Sequence, residues 1–596
     1  MQDKGFILGF RSLMMLGYAA LLAALSACTA TPQQQDTAHE AAYEAAVFQA
    51  LVDTLAAPEM EGRGPGTQGL GLARDFIIER FETDGLEPGY GPARGGQASF
   101  TQTLTIPLDL ELDAAHLAFV DGADGAGMLD HGDDFRILST GADVAVDGRF
   151  GVTIVGYGTE SERHDYSSFR IDGEAVEDDA LEGRIALAFR YEPMDEEGNS
   201  QWREGGRWSR AARIAMKVQL AADHGAVGLL LVNPPSHPDD EAGLLRKLAP
   251  VGGRGADIAV AQISQSAFHA LLSRDGHEAP PATARALQRR ADEGKLEPLD
   301  LEDVKLELTV RASRQRVDID NVAGALPGEG ELASQWIVVG AHYDHLGYGG
   351  FGSLEPGVRA IHPGADDNAS GTAAIIMMAQ AFVERVENDA GSTSEEGDDG
   401  AGRRSILFVA FSGEERGLLG SRYMVRHFDR DTGISPDDVV AMMNLDMIGR
   451  LRPNRGLNIA GVGTSEVWPA LIEGIARKND PPINKRSGAM AGSDHLPFLQ
   501  AGIPVLFLNT GAHEDYHRPT DTADRINAEG GARVTALGDR LIWALAHEPD
   551  RPAFTEPPRR EDRGPRIGRV RLGIMPDYGH DEPGVVVAAV APNAVD

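Results

Sequence analysis

Residues 335–371 constrain the fold more than any other stretch of this chain. The apolar run at 337–339 is typical of a strand buried on both faces of a parallel sheet, and His342 and Asp344 follow where that strand must end. Residues 372–384 show the pattern of a helix packed on the same strand. Because ligands concentrate at the carboxyl edge of an open α/β sheet, this stretch predicts a polar site at that edge.

Three later apolar segments, at 405–411, 439–445 and 505–508, also lead into charged residues or histidine. The strand ends and the loops after them deliver five candidate ligands: His342, Asp367, Glu415, Asp446 and His517. Buried carboxylates and imidazoles are costly unless a metal compensates their charge, and nitrogen and oxygen donors without a thiol suit zinc. Such a set can hold two divalent ions if one carboxylate bridges. Glu414, the neighbour of Glu415, points in a different direction and can face the reaction.

The charge balance excludes one class of partner. The chain has 55 Lys and Arg against 91 Asp and Glu, a net charge of −36, and nucleic-acid binding needs a basic face. With 596 residues, two or three domains are expected. We expect residues 39–140 and 303–548 to form one α/β domain, interrupted by an insertion at 141–286 with a sheet of its own.

The amino terminus has the pattern of a targeting segment. In residues 1–27, basic residues flank an apolar run that is too short for the roughly 20 residues of a membrane span. Cys28, the only cysteine, follows Leu-Ser-Ala, and this sequence resembles a bacterial lipobox, in which the cysteine carries lipid. We therefore expect residues 28–38 to be a polar tether, and the protein to be exported and lipid-anchored to a bacterial membrane, facing the periplasm or the cell surface. Plain secretion with an incidental cysteine is the alternative.

Five ordered motifs carry a resemblance to a known family. GAHYDH, GADDNASG, FSGEERGLLGS, NLDMIG and EDYHRPTDT resemble the motifs of the di-zinc exopeptidases, which include bacterial leucyl-type aminopeptidases and glutamate carboxypeptidases. The resemblance is strong over residues 318–548 and weak over 39–110. It implies a mixed, mostly parallel sheet flanked by helices, and two Zn²⁺ as cofactors.

The same resemblance implies a role for each candidate ligand. His342 and Asp446 would bind one zinc, and Glu415 and His517 the other. Asp367 would bridge, rather than the aspartate before it, because the family's ligand sits four residues before the closing glycine of GADDNASG, beside a cis peptide.

Further roles follow from the resemblance. A zinc-bridging hydroxide would be the nucleophile, with Glu414 as its general base, and Tyr516 would assist the developing oxyanion. Asp344 and Asp521 are expected to hold the two histidine ligands in their ligating tautomers.

The implied activity is hydrolysis of a peptide bond at a chain end, with an aminopeptidase favoured and a peptide as substrate. A carboxypeptidase of the glutamate-carboxypeptidase type and a glutaminyl-cyclase-like acyltransferase with one zinc are alternatives. A non-catalytic binding protein of the transferrin-receptor type is disfavoured, because every ligand position and Glu414 are filled. The oligomeric state stays open.

Two other regions show weaker resemblances. The order DYSSF, LEGRIAL and GAVGLLLVN in the insertion at 141–286 resembles a mostly-β protease-associated domain. Its Trp202 and Trp208 are predicted to pack within the domain rather than contact substrate. Residues 549–567 read as a linker rich in proline and arginine, and 568–596, with VRLGI and GVVVAAV, resemble the start of a PDZ domain.

Overall fold

The computed structural model describes residues 32–557, apart from 92–97, 121–126, 141, 172, 204–207, 237–243, 246–257, 356, 392–401, 479 and 490–491, together with 574–576 and 587–590. Its contacts divide the chain into two compact units. The first contains the chain up to Ile106 and from Val317 onward, and the second is Pro107–Arg316.

The second unit spans more residues of the chain than the insertion predicted at 141–286. Two long strands, Thr101–Phe119 and Leu299–Leu326, each contain a unit boundary. Buried and exposed side chains alternate along much of both strands, as expected for a strand with one covered face. The alternation continues across the boundary after Ile106, but it is interrupted at the boundary after Arg316, where Gln315 and Arg316 are both exposed.

The first unit is built on a mixed, mostly parallel sheet flanked by helices, which confirms the predicted fold class. The strand Trp336–His342 is parallel to both of its neighbours. In spatial order the strands are Ile483–Arg486, Leu457–Ala460, Val505–Asn509, Val439–Leu445, Trp336–His342, Ser405–Phe411 and the end of Leu299–Leu326, which pairs with the short Glu87–Pro88.

Both faces of this sheet are covered. Along Trp336–His342, Ile337 and Val339 pack into one apolar cluster, and Val338 packs into another. This is the arrangement that an uninterrupted apolar run predicts. The covering helices are Pro32–Leu55, Gln68–Thr83, Gly371–Gly391, Leu419–Arg426, Phe428–Thr432, Val467–Ile475, His495–Gln500 and Ala528–His547. Shorter helical turns lie at Pro58–Arg63, Gly330–Leu332, Ala365–Ser370, Pro436–Asp438, Val462–Thr464 and Ala523–Arg525.

The first of these helices begins within the predicted tether. Residues 32–38, which the sequence assigned to a polar tether, form the start of the helix Pro32–Leu55. Proline is favoured at the first helical position, where its missing N–H would have no partner. Glutamines 33–35 are also good helix formers.

Among its described residues, the second unit contains three helices and a further run of hydrogen-bonded strands. Residues 299–312, Val144–Ile154, Arg184–Phe189, Gly228–Val232, Ala259–Ile263 and Phe135–Ile137 follow one another across it. Short strand pairs join Glu160–Ser161 to Tyr166–Ser167 and Arg170–Ile171 to Glu174–Ala175. The helices are Ile214–Asp223, Gln265–Arg274 and Pro280–Asp292, with short turns at Glu162–His164 and Arg210–Ala212.

The two tryptophans of the predicted insertion pack against its apolar cluster. Trp202 stacks on His164 at 4.8 Å between ring centroids, and Trp208 stacks on Tyr191 at 4.6 Å. These contacts agree with the packing role predicted for both tryptophans. The resemblance of the insertion to a protease-associated domain stays a prediction.

The remaining predicted segments fall partly or wholly outside the described residues. Residues 1–27 and Cys28 lie outside them, as does most of 549–567. Within 568–596, Ile574–Pro576 and Val587–Val590 form an antiparallel pair, and the PDZ resemblance stays a prediction. Across the described stretches, no helix has a segment both long and apolar enough to cross a membrane.

Candidate metal centre

The carboxyl edge of the first unit's sheet brings the predicted ligands together. His342 is the last residue of Trp336–His342, and Asp446 directly follows Val439–Leu445. Glu415 lies in the turn after Ser405–Phe411. Because these three strands are parallel neighbours, their carboxyl ends meet at one place.

His342, Asp367 and Asp446 form a first group of possible metal ligands. The Nε2 atom of His342 is 3.3 Å from Oδ1 of Asp367 and 3.4 Å from Oδ1 of Asp446. All three residues are buried. Donor atoms at these separations could share one ion, since zinc holds its ligands at about 2.0–2.2 Å.

A second group lies on the other side of Asp367. The Nε2 atom of His517 is 3.2 Å from Oδ2 of Asp367 and 2.9 Å from Oε2 of Glu415. Asp367 therefore presents one carboxylate oxygen to each group. The peptide bond from Asp367 to Asn368 is cis.

Asp366 points elsewhere. Its Oδ1 accepts a hydrogen bond from the backbone N–H of Gly449 at 2.6 Å, and its Oδ2 is 3.1 Å from Nε2 of His513. Of the two adjacent aspartates, Asp367 is the one placed between the two groups.

The structure adds a histidine that the sequence analysis did not assign. Nδ1 of His345 lies 2.7 Å from Oε1 of Glu415 and 3.9 Å from Oδ2 of Asp367. These three residues also form a possible metal-binding group. The available signal was the position of His345 at the end of the GAHYDH motif, three residues after His342.

In this cluster, neighbouring groups of opposite charge offset the cost of burying each ionised side chain. Burial disfavours the charged form of His342, but Asp446 and Glu414 outweigh it and raise the pKa of His342 well above its ordinary value. Burial likewise opposes ionisation of Asp367, yet the neighbouring imidazoles of His342 and His517 hold its pKa well below the usual range. The pKa of Glu415 is lowered to about 2, because His517 overcomes the effect of burial. Asp367 and Glu415 are therefore charged and need positive partners.

The donor set fits metal ions. Within the described part of the chain, His342 Nε2, Asp446 Oδ1, Glu415 Oε1 and His517 Nε2 are buried atoms without a hydrogen bond of acceptable geometry. Buried polar atoms are normally satisfied. A divalent ion in each group would provide the missing partners, with nitrogen and oxygen ligands of the kind that zinc takes.

Glu414 belongs to neither group of metal ligands. Its backbone N–H donates to Oδ1 of Asp344 at 3.2 Å. Burial raises the pKa of its side chain well above the ordinary value, and the neighbouring Glu415 adds to this. Glu414 is thus a carboxyl group that binds a proton readily beside the ligand groups, as a general base requires.

The tyrosine beside the last histidine packs directly against it. The ring of Tyr516 stacks on His517, with centroids 3.8 Å apart. Burial and the charge of Asp367 raise the pKa of Tyr516 well above its usual value. Its hydroxyl is therefore a neutral donor at neutral pH.

Asp344 and Asp521 act differently from expectation. Nδ1 of His342 is 3.1 Å from the backbone carbonyl oxygen of Asp344 but 3.7 Å from its carboxylate. Oδ2 of Asp521 accepts hydrogen bonds from the backbone N–H groups of Asp366 and Asp367, at 3.0 and 3.1 Å. Asp521 therefore holds the backbone of Asp367, and Nδ1 of His517 lies instead 2.8 Å from the carbonyl oxygen of Gly352.

Arg63 is a second residue that the sequence analysis missed. Its side chain is fully buried and donates to the carbonyl oxygens of Leu55, Tyr343, Pro363 and Gly364. Burial lowers its pKa to about 10, although nearby carboxylates favour its charge. Arg63 thus connects the backbone beside His342 with the backbone just before Asp366.

The comparison with known families agrees with this site. Residues 321–538 match peptidase family M28, and this segment contains all five predicted ligands and Glu414. The match covers these residues only.

Two of its relatives are named as aminopeptidases. Aminopeptidase YwaD of Bacillus subtilis is 28% identical over 221 residues, covering 36% of this chain and 40% of that protein. Leucine aminopeptidase 1 of Fusarium vanettenii is 30% identical over 202 residues, covering 33% of this chain and 46% of the relative. The matches thus span less than half the length of these two relatives.

Solved structures were compared as well. A zinc aminopeptidase from Bacillus subtilis is 18% identical with a TM-score of 0.43, covering 84% of this chain and 95% of that one. An aminopeptidase from Aneurinibacillus sp. strain AM-1 has the same identity and TM-score, covering 86% and 95%.

Proposed function

We propose that this chain is a zinc-dependent exopeptidase, with removal of amino-terminal residues as the favoured activity. One observation carries the proposal: Asp367 directs Oδ1 toward His342 and Oδ2 toward His517, each within 3.3 Å. A carboxylate shared in this way supports a two-metal site. The family match and the names of the relatives support peptide hydrolysis.

The residues would divide between two Zn²⁺. His342, Asp446 and one oxygen of Asp367 would hold one ion, and Glu415, His517 and the other oxygen of Asp367 would hold the second. When bound, such ions lower the pKa of a water molecule and polarise a substrate carbonyl.

Proton transfer falls to Glu414. With a raised pKa, its carboxylate accepts the proton of the attacking water and returns it to the leaving amine. The neutral hydroxyl of Tyr516 can donate to the oxygen on which negative charge develops. These two steps need a base outside the ligand groups and a donor that keeps its proton, and the proposal assigns these roles to Glu414 and Tyr516.

The experiment combines a substrate panel with a metal assay. Peptides with a free amino terminus, peptides blocked at that end and amino-terminal glutaminyl peptides are incubated with the full chain, with and without chelator and added Zn²⁺. We expect cleavage of the free amino-terminal substrates, loss on chelation, recovery with zinc and two zinc ions per chain. Cleavage from the carboxyl end alone, or cyclisation with a single zinc, would favour the alternative activities.

Glu414→Gln tests the assigned base. Removing a general base costs about 10²- to 10⁴-fold in rate, whereas zinc content should stay unchanged because Glu414 is not in either ligand group. Glu473→Gln is the matched control, since Glu473 pairs with Lys485 on an exposed surface. Full activity of Glu414→Gln would rule out this mechanism.

We further infer export and lipid anchoring through Cys28, on the sequence of residues 1–28. Metabolic labelling with a fatty-acid analogue should mark the wild-type chain and not Cys28→Ala. Equal labelling of both chains would contradict the inference.

A further inference from the structure

His345 combines three properties that the proposed ligand set does not explain. It is fully buried, and neither ring nitrogen makes a hydrogen bond of acceptable geometry with the described residues. Its Nδ1 atom nevertheless lies 2.7 Å from Oε1 of Glu415. A buried imidazole without hydrogen bonds, directed at a metal-ligating carboxylate, needs another kind of partner.

The position of the ring is set by the backbone around it. The N–H of His345 donates to the carbonyl oxygen of Arg63 at 3.2 Å. On the other side, Gly364 has a φ of +55°, and a Cβ there would lie 2.5 Å from Cγ and Cδ2 of the ring. The space that this glycine leaves is occupied by the imidazole, so the ring is held toward the second ligand group.

The surrounding donors are spaced for one ion. Nδ1 of His345 is 3.9 Å from Oδ2 of Asp367, and the ring is edge-on to His517 with centroids 5.7 Å apart. His517 contacts the same oxygen of Asp367 and the second oxygen of Glu415. His345, Asp367 and Glu415 thus place donor atoms close enough to share one ion at about 2.0–2.2 Å, and His517 contacts both carboxylates of that group.

We propose that His345 is a protein ligand of the second metal, together with Asp367, Glu415 and His517. The inference rests on the proposed two-metal site. It makes the two sites unequal, with three protein residues at the first and four at the second. The second ion is then the more tightly held, and the first site keeps more positions for water and substrate.

The test uses the metal-free full chain, titrated with Zn²⁺ against a chromogenic chelator and with Co²⁺ followed by visible absorption. Wild type should bind two ions in two resolved steps. His345→Asn keeps a side-chain N–H near the position of Nδ1 but is a poor ligand. We expect the metal affinity of one binding step to fall by more than about 100-fold in this variant, and the Co²⁺ spectrum of that step to change. A loss of about 100-fold is the upper end of what removal of an outer hydrogen-bond partner costs.

A second variant tests coordination directly and does not depend on the affinity of a weakened site. His345→Cys is made with Cys28→Ser, so that residue 345 carries the only thiol. If position 345 is in the coordination sphere, Co²⁺ should produce a sulfur-to-metal charge-transfer band, because thiolates are strong ligands of such ions. Unfolding curves of each metal-free variant show whether it is folded.

The outcomes separate the two proposals. One zinc step in wild type would overturn the two-metal site itself. Two steps in wild type, with an unchanged Co²⁺ spectrum in His345→Asn and no charge-transfer band in His345→Cys, would leave the two-metal site standing and overturn the role of His345. A smaller loss of affinity with an unchanged spectrum would also overturn it, because that result describes a positioning residue.

Discussion

Lys217 provides a quantitative test of burial in the second unit. It lies on the helix Ile214–Asp223 with a fully buried side chain, and its ammonium donates to the backbone carbonyl oxygen of Tyr157. Burial lowers the pKa of Lys217 from 10.5 to about 7, although the charge of Glu192 acts in the opposite direction.

The sign of the pH effect follows from proton binding. Between pH 7 and the ordinary pKa of 10.5, the unfolded chain keeps the proton on Lys217 and the folded chain has lost most of it. Raising the pH through this window therefore stabilises the folded state, by up to about 1.4 kcal/mol per pH unit. Allowing for half-protonation of the folded form near pH 7, the gain from pH 7 to pH 9 is about 2 kcal/mol.

Lys217→Met removes this dependence. The variant leaves the carbonyl of Tyr157 without the ammonium, a cost of about 1–3 kcal/mol that does not vary with pH. The stability of wild type relative to Lys217→Met should thus rise by about 2 kcal/mol between pH 7 and pH 9.

Urea unfolding followed by pulsed hydrogen exchange measures the second unit separately, through peptides from Arg184–Phe189 and Gly228–Val232. Lys295→Met is the matched control, because it removes the same charge from a side chain that is 71% exposed. If the relative stability of Lys217→Met stays constant from pH 7 to pH 9, the ammonium is not the buried, easily deprotonated group described above.

Other predictions concern the metal centre. Arg63→Met leaves four backbone carbonyls without their guanidinium partner. The free energy of unfolding of the metal-free chain, measured in urea, should therefore fall by about 3–5 kcal/mol. A loss no greater than that caused by Arg149→Met, at an exposed arginine, would contradict this. Asp521→Asn weakens the support of the Asp367 backbone and should reduce zinc affinity by about 10- to 100-fold in chelator competition; an unchanged affinity would refute that role. Removing zinc should lower the unfolding temperature, because a ligand at about 1,000 times its Kd stabilises by about 4 kcal/mol; identical melting curves with and without chelator would argue against structural coupling.

Local patterns were sufficient for the sheet and for the positions of the proposed ligands. A strand such as Ser405–Phe411 is buried along its whole length. An uninterrupted apolar run predicts this burial from the sequence of the strand alone, whichever strands lie beside it. The residue after such a strand is then at the carboxyl edge wherever the strand lies. His342 and Asp446 could therefore be located from their own segments.

The contacts that support those ligands could not be predicted from local patterns. Asp344 and Asp521 were expected to orient histidines, yet the nearest contact of His342 Nδ1 to Asp344 is with its backbone carbonyl, and Asp521 holds the backbone of Asp366 and Asp367. The direction in which a carboxylate points depends on side-chain rotamers and on the loops that close around it. Neither is encoded in residue spacing.

The sequence by itself determined which residues reach the sheet edge and that their chemistry suits zinc, because strand burial and donor type are local properties. Only the tertiary structure decided that His345 faces Glu415, and that Arg63 joins the backbone at Tyr343, 280 residues away. Such contacts form between segments distant in the chain, where packing selects one partner among many of the same type. The number of donor side chains in each candidate ligand group is therefore a property of the folded protein.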